Sequence, residues 1–561
     1  MKYYFLLLLI NLIVIAESVS QVEYHSPLDI ELNLSGTFGE IRGTSHFHAG
    51  MDMKTNREIN LNIYSIEEGY VSRIKVSPYG YGKAIYITHK NNITSVYAHL
   101  NKYNKEIQKY VRKKQYEKES FTIELFFDST TFPIKKGEII GFSGNTGGSF
   151  GPHLHFEMRA TDKQEPFNVH EYNFIIKDST PPEIKEIKAY SLNKKATVQT
   201  KGLKKYKVYY DSEKREHYMK DTVKVTGDFG LSIFCFDKTE NNYNKNGVKS
   251  IELKDKKTSF FKYEMTKVNF SKNKYVKAHI DYKEKKENNK TFQKSFIERN
   301  NNLDLYKHIN NGIIEYKKDT LVLLKYIVKD FYDNSSELNV YVKFKVQNNI
   351  QKETKPKNTI YYDVKNKFEN ENIKIDFPVK SLFDNTELKI NTRHENNPIY
   401  LSPVYEIHDK NIPICNKIKL SIKHEIEDEW KDKIGITRIE KSKISFLGGE
   451  NVNQTITKRI NSFGEYTITI DTIPPEIKPI NLKQDMSKAY SIRIKITDNL
   501  SGIKKYEGKI NGKWILMEYD YKNQKLIYSF DNSIKKGNHK LDLTVTDKVN
   551  NISKYSFDFK R

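Results

Sequence analysis

With 561 residues the chain is too long for one hydrophobic core, and chains of this length divide into roughly three or four domains. Its 94 Lys and Arg against 71 Asp and Glu give a net charge of +23, a balance that draws a protein toward anionic polymers or surfaces. The basic residues are scattered rather than striped, AT-biased coding produces the same excess, and no nucleic-acid-binding motif accompanies them, so nucleic acid is not expected as a partner. The two cysteines, Cys235 and Cys415, stand far apart, give no disulfide framework and are expected as buried free thiols.

Met1-Lys2-Tyr3-Tyr4 opens the chain, followed by an apolar run from Phe5 to Ala16 broken only by Asn11, and then by Ser18-Val19-Ser20. The run is shorter than the about 20 residues that cross a bilayer. Its order of charge, apolar stretch and small residues is that of a cleavable secretory signal over residues 1–20. With no later segment apolar enough to span a membrane, the mature chain is expected to be exported, to a periplasm, the cell envelope or the extracellular space.

Residues 21–178 read as the first domain. Eight of the 15 histidines fall between His25 and His170, which concentrates metal and proton chemistry there. Ile85–His89 and Ile93–Leu100 flank the turn Lys90-Asn-Asn92 as two strands. Asn104–Tyr116, with Ile107, Tyr110 and Val111 on one face, predicts a helix ahead of a strand at Phe121–Phe127. Beyond this domain, Thr180-Pro-Pro-Glu-Ile184 recurs as Ile473-Pro-Pro-Glu-Ile477, each time after an aspartate. Paired prolines cannot lie in a central strand and so mark entry linkers. Val328-Lys-Asp330-Phe-Tyr-Asp-Asn334 likewise echoes Val545-Thr-Asp547-Lys-Val-Asn-Asn551 between strand-like runs. The repeat predicts Ig-like β-sandwich modules at 179–346 and 471–561, with a β-rich middle domain at 347–470. Lys283–Lys290, charged and without an apolar residue, is predicted as a solvated loop. The Asp-rich ends of the modules are read as side-chain-to-backbone turns in preference to calcium ligands. The fold class is therefore all-β and multidomain: an antiparallel β domain with an inserted helix, then β-sandwich modules forming a stalk.

In Gly151-Pro-His-Leu-His-Phe-Glu157, strand alternation sends Leu154, Phe156 and Met158 one way and His153, His155 and Glu157 the other. On a second strand Tyr97 and His99 are expected to share a face opposite Val96, Ala98 and Leu100. His48 and Asp52, with Gly50 between them, suit a loop leading into a strand. Imidazole nitrogen and carboxylate oxygen are both suitable zinc donors. Glu157 is read either as orienting an imidazole or as an exposed strand carboxylate. His25, His89 and His170 are read as solvated turn residues.

Together His48-Ala-Gly-Met-Asp52, Tyr97-Ala-His-Leu100, the turn Ile134–Ile139 and Gly144-Asn-Thr-Gly-Gly-Ser149 through Glu157 resemble the lysostaphin/LytM family of zinc murein endopeptidases, over roughly residues 36–159. The resemblance implies a LytM-like domain at 21–178 holding one Zn2+ on His48, Asp52 and His155. It implies catalytic roles for His99 and His153, with His153 preferred as general base and the two roles exchangeable. Arg42 is a candidate for oxyanion stabilisation, set against a structural ion pair. His46 forms its own His-x-His with His48, but the spacing to Asp52 favours His48. The segment of about 101–131 is longer than the minimal pattern and is expected to wall a substrate groove. The implied activity is hydrolysis of peptide cross-links in peptidoglycan, with an envelope protein as a further possible partner through the β modules. The alternatives are a non-catalytic LytM-like regulator of other wall hydrolases and an envelope scaffold or adhesin.

Overall fold

The computed structural model describes residues 23–192, 201–240, 243–346, 358–441, 443–531 and 533–561, and it is nearly all β. The expected signal at 1–20 and the junction near 347 lie outside these residues. The N-terminal domain is built on an antiparallel sheet. Its strands run Leu34–Gly36, Met51–Lys54, His153–Ala160, Ile93–Ala98, Lys83–His89, Gly69–Val76 and Ile123–Phe126, and Pro133–Ile134 also pairs with Gly69–Val76. Alternation along the central strand sends Leu154, Phe156 and Met158 into a core with Met51, Met53, Ile85, Ile87 and Tyr97. Burial of each such side chain contributes about 1.5–3 kcal/mol, so this face fixes which residues are left for the other side, where His155, Glu157 and Arg159 stand. Gly50 permits the close approach of its neighbouring strand, because a Cβ there would lie 2.1 Å from the carbonyl oxygen of Phe156.

The inserted helix, Lys105–Glu117, starts where Asn104 accepts a hydrogen bond from the Ile107 amide, and it buries Ile107 and Val111. Among the described residues, each of the three later regions has two main sheets enclosing a hydrophobic core: four and eight strands in the first, five and five in the middle one, which also has the two-stranded pair Thr359–Ile360 and Thr386–Glu387, and four and four in the last. The strands at Thr320–Lys329 and Ser335–Lys345, and at Asn538–Asp547 and Ile552–Lys560, form the hairpins that the repeated motif anticipates. Lys283–Lys290 departs from expectation: most of it lies in the helix Tyr282–Asn288, capped by Asp281 and held by Lys188 and Lys205 on Glu284. Lys and Glu are good helix formers, and the apolar anchor, buried Tyr282, stands just outside the charged window. Cys235 and Cys415 are buried and free.

The modules do not trail behind the N-terminal domain as a stalk. Phe38 and Phe47, which flank the turn ahead of His48, belong to the core of the first module. From the far end of the chain, Leu516 enters the N-terminal core and Trp514 packs edge-on against Tyr116 of the inserted helix at 5.2 Å. Arg112 pairs with Asp531, and Lys83 with Glu518 at 2.8 Å. The contacts of the helix in the 101–131 segment thus include a seat for the C-terminal module.

Candidate metal centre and active site

Strand register brings the site residues together. His155 is the antiparallel neighbour of Asp52 on one side and of Ala98 on the other, and His48 enters from the loop that leads into the Asp52 strand. His48 Nε2 lies 3.0 Å from both Asp52 Oδ1 and His155 Nδ1, and His155 Nδ1 lies 2.8 Å from Asp52 Oδ1. All three residues are buried. The other ring nitrogens are committed outward. His48 Nδ1–H donates to the carbonyl of Thr37 at 2.8 Å, and His155 Nε2–H donates to Glu157 Oε1 at 2.8 Å. Neutral imidazoles so fixed turn two lone pairs toward one carboxylate oxygen. That juxtaposition is repulsive until a proton or a cation enters. Metal–ligand distances of about 2.0–2.2 Å place tetrahedral donors roughly 3.3 Å apart, so the observed trio needs to open by only a few tenths of an ångström to fit zinc.

The electrostatics agree. Burial depresses His48, and Asp52, although buried, is held well below the usual carboxylate range by the imidazoles packed around it. Burial also disfavours charge on His155, but hydrogen bonds to Asp52 and Glu157 outweigh it and raise the group to about 9. Without metal, this imidazole therefore carries the proton that relieves the crowding.

His99 and His153 line the same hollow, their rings 4.8 Å apart, and His99 is 5.8 Å from the ring of His155. His153 Nε2 stands 3.4 Å from Asp52 Oδ1. Both donate Nδ1–H to backbone carbonyls, His99 to Thr146 at 2.9 Å and His153 to Gly151 at 2.9 Å, leaving each Nε2 as an acceptor. Burial and the neighbouring imidazoles lower His99 to about 3, so it stays neutral at physiological pH. The expected shared face of Tyr97 and His99 is not found. Tyr97 faces the core, while Val96 and Ala98 pack in a separate cluster on the opposite side. His99 reaches the site because the chain turns at its positive φ of 61°, which breaks the alternation.

Arg42 donates to Asp52 Oδ2 at 2.8 Å and lies 3.0 Å from Glu40, which is the ion-pair arrangement of the two considered for it. His46 is exposed, pairs with Ser45 and stays outside the cluster. His89 corrects the solvated-turn reading: it is buried between the carbonyl of Glu68 and Ser95 Oγ. His170 is half-buried and bonded to Tyr332 and the Phe38 amide, whereas His25 is exposed.

Three participants were missed by sequence reasoning. Arg159 Nε donates to Glu157 Oε2 at 2.6 Å, and the Tyr81 hydroxyl donates to Glu157 Oε1 while its ring stacks on His155. Glu157 is fully buried, not an exposed strand carboxylate. Continued alternation past Glu157 already marks Arg159 as sharing its face. Lys522, from the C-terminal module, donates to the carbonyls of Asn145 at 2.6 Å and Ser149 at 2.7 Å, clamping the loop whose Ser149 Oγ lies 3.1 Å from His153 Nδ1. Nothing local in the sequence could signal a contact across that separation.

Peptidase family M23 matches residues 46–116, a stretch that contains His48, Asp52 and His99 and ends ahead of His153 and His155. A Zu5-like domain matches residues 357–471. The DD-carboxypeptidase/endopeptidase Mpg of Neisseria meningitidis serogroup B is 35% identical over 80 residues, 14% of this chain and 13% of that protein. Lysostaphin of Staphylococcus staphylolyticus is 32% identical over 111 residues, 20% of this chain and 18% of that protein. The chain thus aligns with less than a fifth of either relative's length. Among solved structures, the catalytic domain of lysostaphin from Staphylococcus simulans is 26% identical, covering 22% of this chain and 77% of that one with a TM-score of 0.17. By these sequence matches the N-terminal domain belongs to the lysostaphin/LytM type of peptidase family M23, a metallopeptidase family.

Proposed function

We propose that the chain is an exported zinc endopeptidase that hydrolyses peptide cross-links of bacterial peptidoglycan. The observation that carries this reading is the convergence of His48 Nε2, His155 Nδ1 and Asp52 Oδ1 within 3.0 Å of one another, with the imidazoles of His99 and His153 beside them. The substrate class rests on the printed activities of the matched relatives, one a DD-carboxypeptidase/endopeptidase and another lysostaphin.

His48, Asp52 and His155 would hold the Zn2+, which supplies Lewis acidity and lowers the pKa of a bound water to about 7. His153, whose free Nε2 faces Asp52, accepts the proton released as water attacks the scissile carbonyl and returns it to the departing amine. His99 presents an acceptor nitrogen only, so its part is to orient the attacking water rather than to donate to an oxyanion. Arg42 and Glu157 are positioning residues: the first fixes Asp52 and the second fixes His155. Phe150, fully exposed at the tip of the clamped loop, offers an apolar contact to substrate beside His153.

A regulator that binds other wall hydrolases, or a scaffold, needs none of this arrangement intact. The test is digestion of purified sacculi by the zinc-loaded chain, with the released muropeptides separated and weighed. The reading predicts loss of cross-linked species in favour of uncross-linked stem peptides, abolished by His155→Ala. Unchanged cross-linking with zinc bound would refute it in favour of the non-catalytic alternatives.

A further inference from the structure

We propose that each of the two proline-entered modules holds a calcium ion at its entry, on Asp178, Asp237 and Asp330 in the first and on Asp471, Asp498 and Asp547 in the last. This inference is independent of the peptidase reading. In each trio one carboxylate oxygen per residue lies within 4.8 Å of the others. The three come from separate stretches of chain: the linker before the paired prolines, a segment following an early strand, and the turn of the closing hairpin.

The two clusters share one scaffold. Asn334 Nδ2 donates to Asp330 Oδ2 at 2.8 Å and to the Asp178 carbonyl at 3.2 Å, and Asn551 Nδ2 donates to Asp547 Oδ2 at 2.7 Å and to the Asp471 carbonyl at 3.0 Å. Ser336 and Ser553 donate to the carbonyls of Pro182 and Pro475. The side-chain-to-backbone turns expected from the sequence are present, since Asp330 Oδ1 accepts from the amides of Tyr332 and Asn334, and Asp547 Oδ1 from those of Val549 and Asn551. Similar bonds reach the other aspartates, from the Thr180 amide to Asp178 Oδ1, from the Ile473 amide to Asp471 Oδ1 and from the Leu500 and Gly502 amides to Asp498 Oδ2, and they leave Asp178 Oδ2, Asp237 Oδ1 and Asp498 Oδ1 without a partner.

What remains in the first module points to a cation ligand set. Asp237 is 1% exposed and its Oδ1 has no partner, nor has Asp178 Oδ2. Asn246, 2% exposed, exchanges both backbone hydrogen bonds with Asp237 at 3.0 and 2.8 Å, so the two side chains stand on the same face. Neither Oδ1 nor Nδ2 of that buried amide has a partner. An unsatisfied buried amide beside an unsatisfied buried carboxylate is costly, and an ion taking both oxygens satisfies the two acceptors. The last module repeats the pattern more openly. Asp498 Oδ1 and the buried Ser501 Oγ are unpartnered, and the Ser501 amide donates to Asp471 Oδ2 at 2.9 Å. Near the first site the lysines are engaged elsewhere, Lys185 and Lys238 on Glu183 and Lys249 on Asp333. Burial together with the charges of Asp178 and Asp330 pushes Asp237 up to about 8, the mark of crowded carboxylates without a counter-ion.

An all-oxygen set of carboxylates with an amide or hydroxyl oxygen suits Ca2+, which accepts six to eight oxygen ligands in flexible geometry, whereas Mg2+ keeps its waters and Zn2+ prefers nitrogen and sulfur. Asp178 and Asp471 lie on the linkers, so each ion would tie a module to the chain that enters it.

Titration of the full chain with CaCl2 in equilibrium dialysis, up to about 10 mM to reach the affinities of extracellular modules, is expected to find two Ca2+ per chain. Asp237→Asn is expected to lose one and Asp498→Asn the other, and the melting temperature of the unaltered chain should rise with Ca2+ concentration. Fewer than two Ca2+ on the unaltered chain, retention of both by a folded variant, or displacement of Ca2+ by an equal concentration of Mg2+ would overturn the assignment. Should either variant not fold, the stoichiometry of the unaltered chain decides.

Discussion

Glu157→Gln separates a carboxylate that positions the metal centre from one that merely fills the core. Glu157 is fully buried, takes the Nε2–H of His155 at 2.8 Å on one oxygen and Arg159 at 2.6 Å on the other. Burial alone would raise its pKa, but the charge of Arg159 and the hydrogen bond from His155 lower it to about 2, so it is ionised at every working pH. The amide keeps the shape and an acceptor for His155 but removes the charge. Loss of such an outer partner typically costs 10–100-fold in metal affinity, which is about 1.4–2.7 kcal/mol, and retention of one hydrogen bond places this variant at the lower end. The guanidinium of Arg159, itself buried, is left without its counter-charge, and breaking such a pair costs about 3–5 kcal/mol of stability. Zinc affinity by chelator competition and stability by urea unfolding report the two effects separately. Combining Glu157→Gln with Arg159→Met removes both charges and should recover most of the stability while zinc stays weakly bound. Zinc affinity within twofold of the unaltered chain, in a cooperatively folded Glu157→Gln protein, would refute the positioning role.

Four further outcomes are expected. Metal-free His155, raised to about 9, must release a proton to bind zinc, so log affinity should rise by about one per pH unit from pH 7 to about 9 and then flatten, as isothermal titration would show. By the same sign, this imidazole stabilises the metal-free fold most below its unfolded pKa of about 6.5, and the contribution disappears as pH rises through about 9. Gly147→Ala places a Cβ 2.3 Å from the Gly80 carbonyl oxygen and the Gly82 amide nitrogen at a φ of +69°, and should lower the urea-unfolding free energy by about 1–3 kcal/mol. Lys522→Met removes the half-buried ammonium from the loop carbonyls of Asn145 and Ser149; a loss of about 1–2 kcal/mol of loop order predicts a fall in sacculus-cleaving kcat of about 5–30-fold with zinc content unchanged.

The site was legible wherever it is written locally. Strand alternation around His153 to Glu157 and the four-residue spacing of His48 and Asp52 need only neighbouring residues to interpret. His99 lies beside the cluster, but its expected shared face with Tyr97 is not found, because one left-handed residue inverts the parity of a strand and no pattern of apolar residues records it. The helix at Tyr282–Asn288 was hidden because its anchor precedes the charged run. Tyr81, Lys522 and the seating of Trp514 on Tyr116 depend on contacts between distant stretches, which periodicity and motif spacing do not encode.

The central claim is that two imidazoles and one carboxylate grip a single zinc ion. Anomalous diffraction at the zinc edge, from crystals of the chain grown with stoichiometric Zn2+, tests it most directly. The account predicts one peak in the N-terminal domain, bonded by His48 Nε2, His155 Nδ1 and Asp52 at about 2.0–2.2 Å. A peak elsewhere, or none between those three side chains, would contradict it.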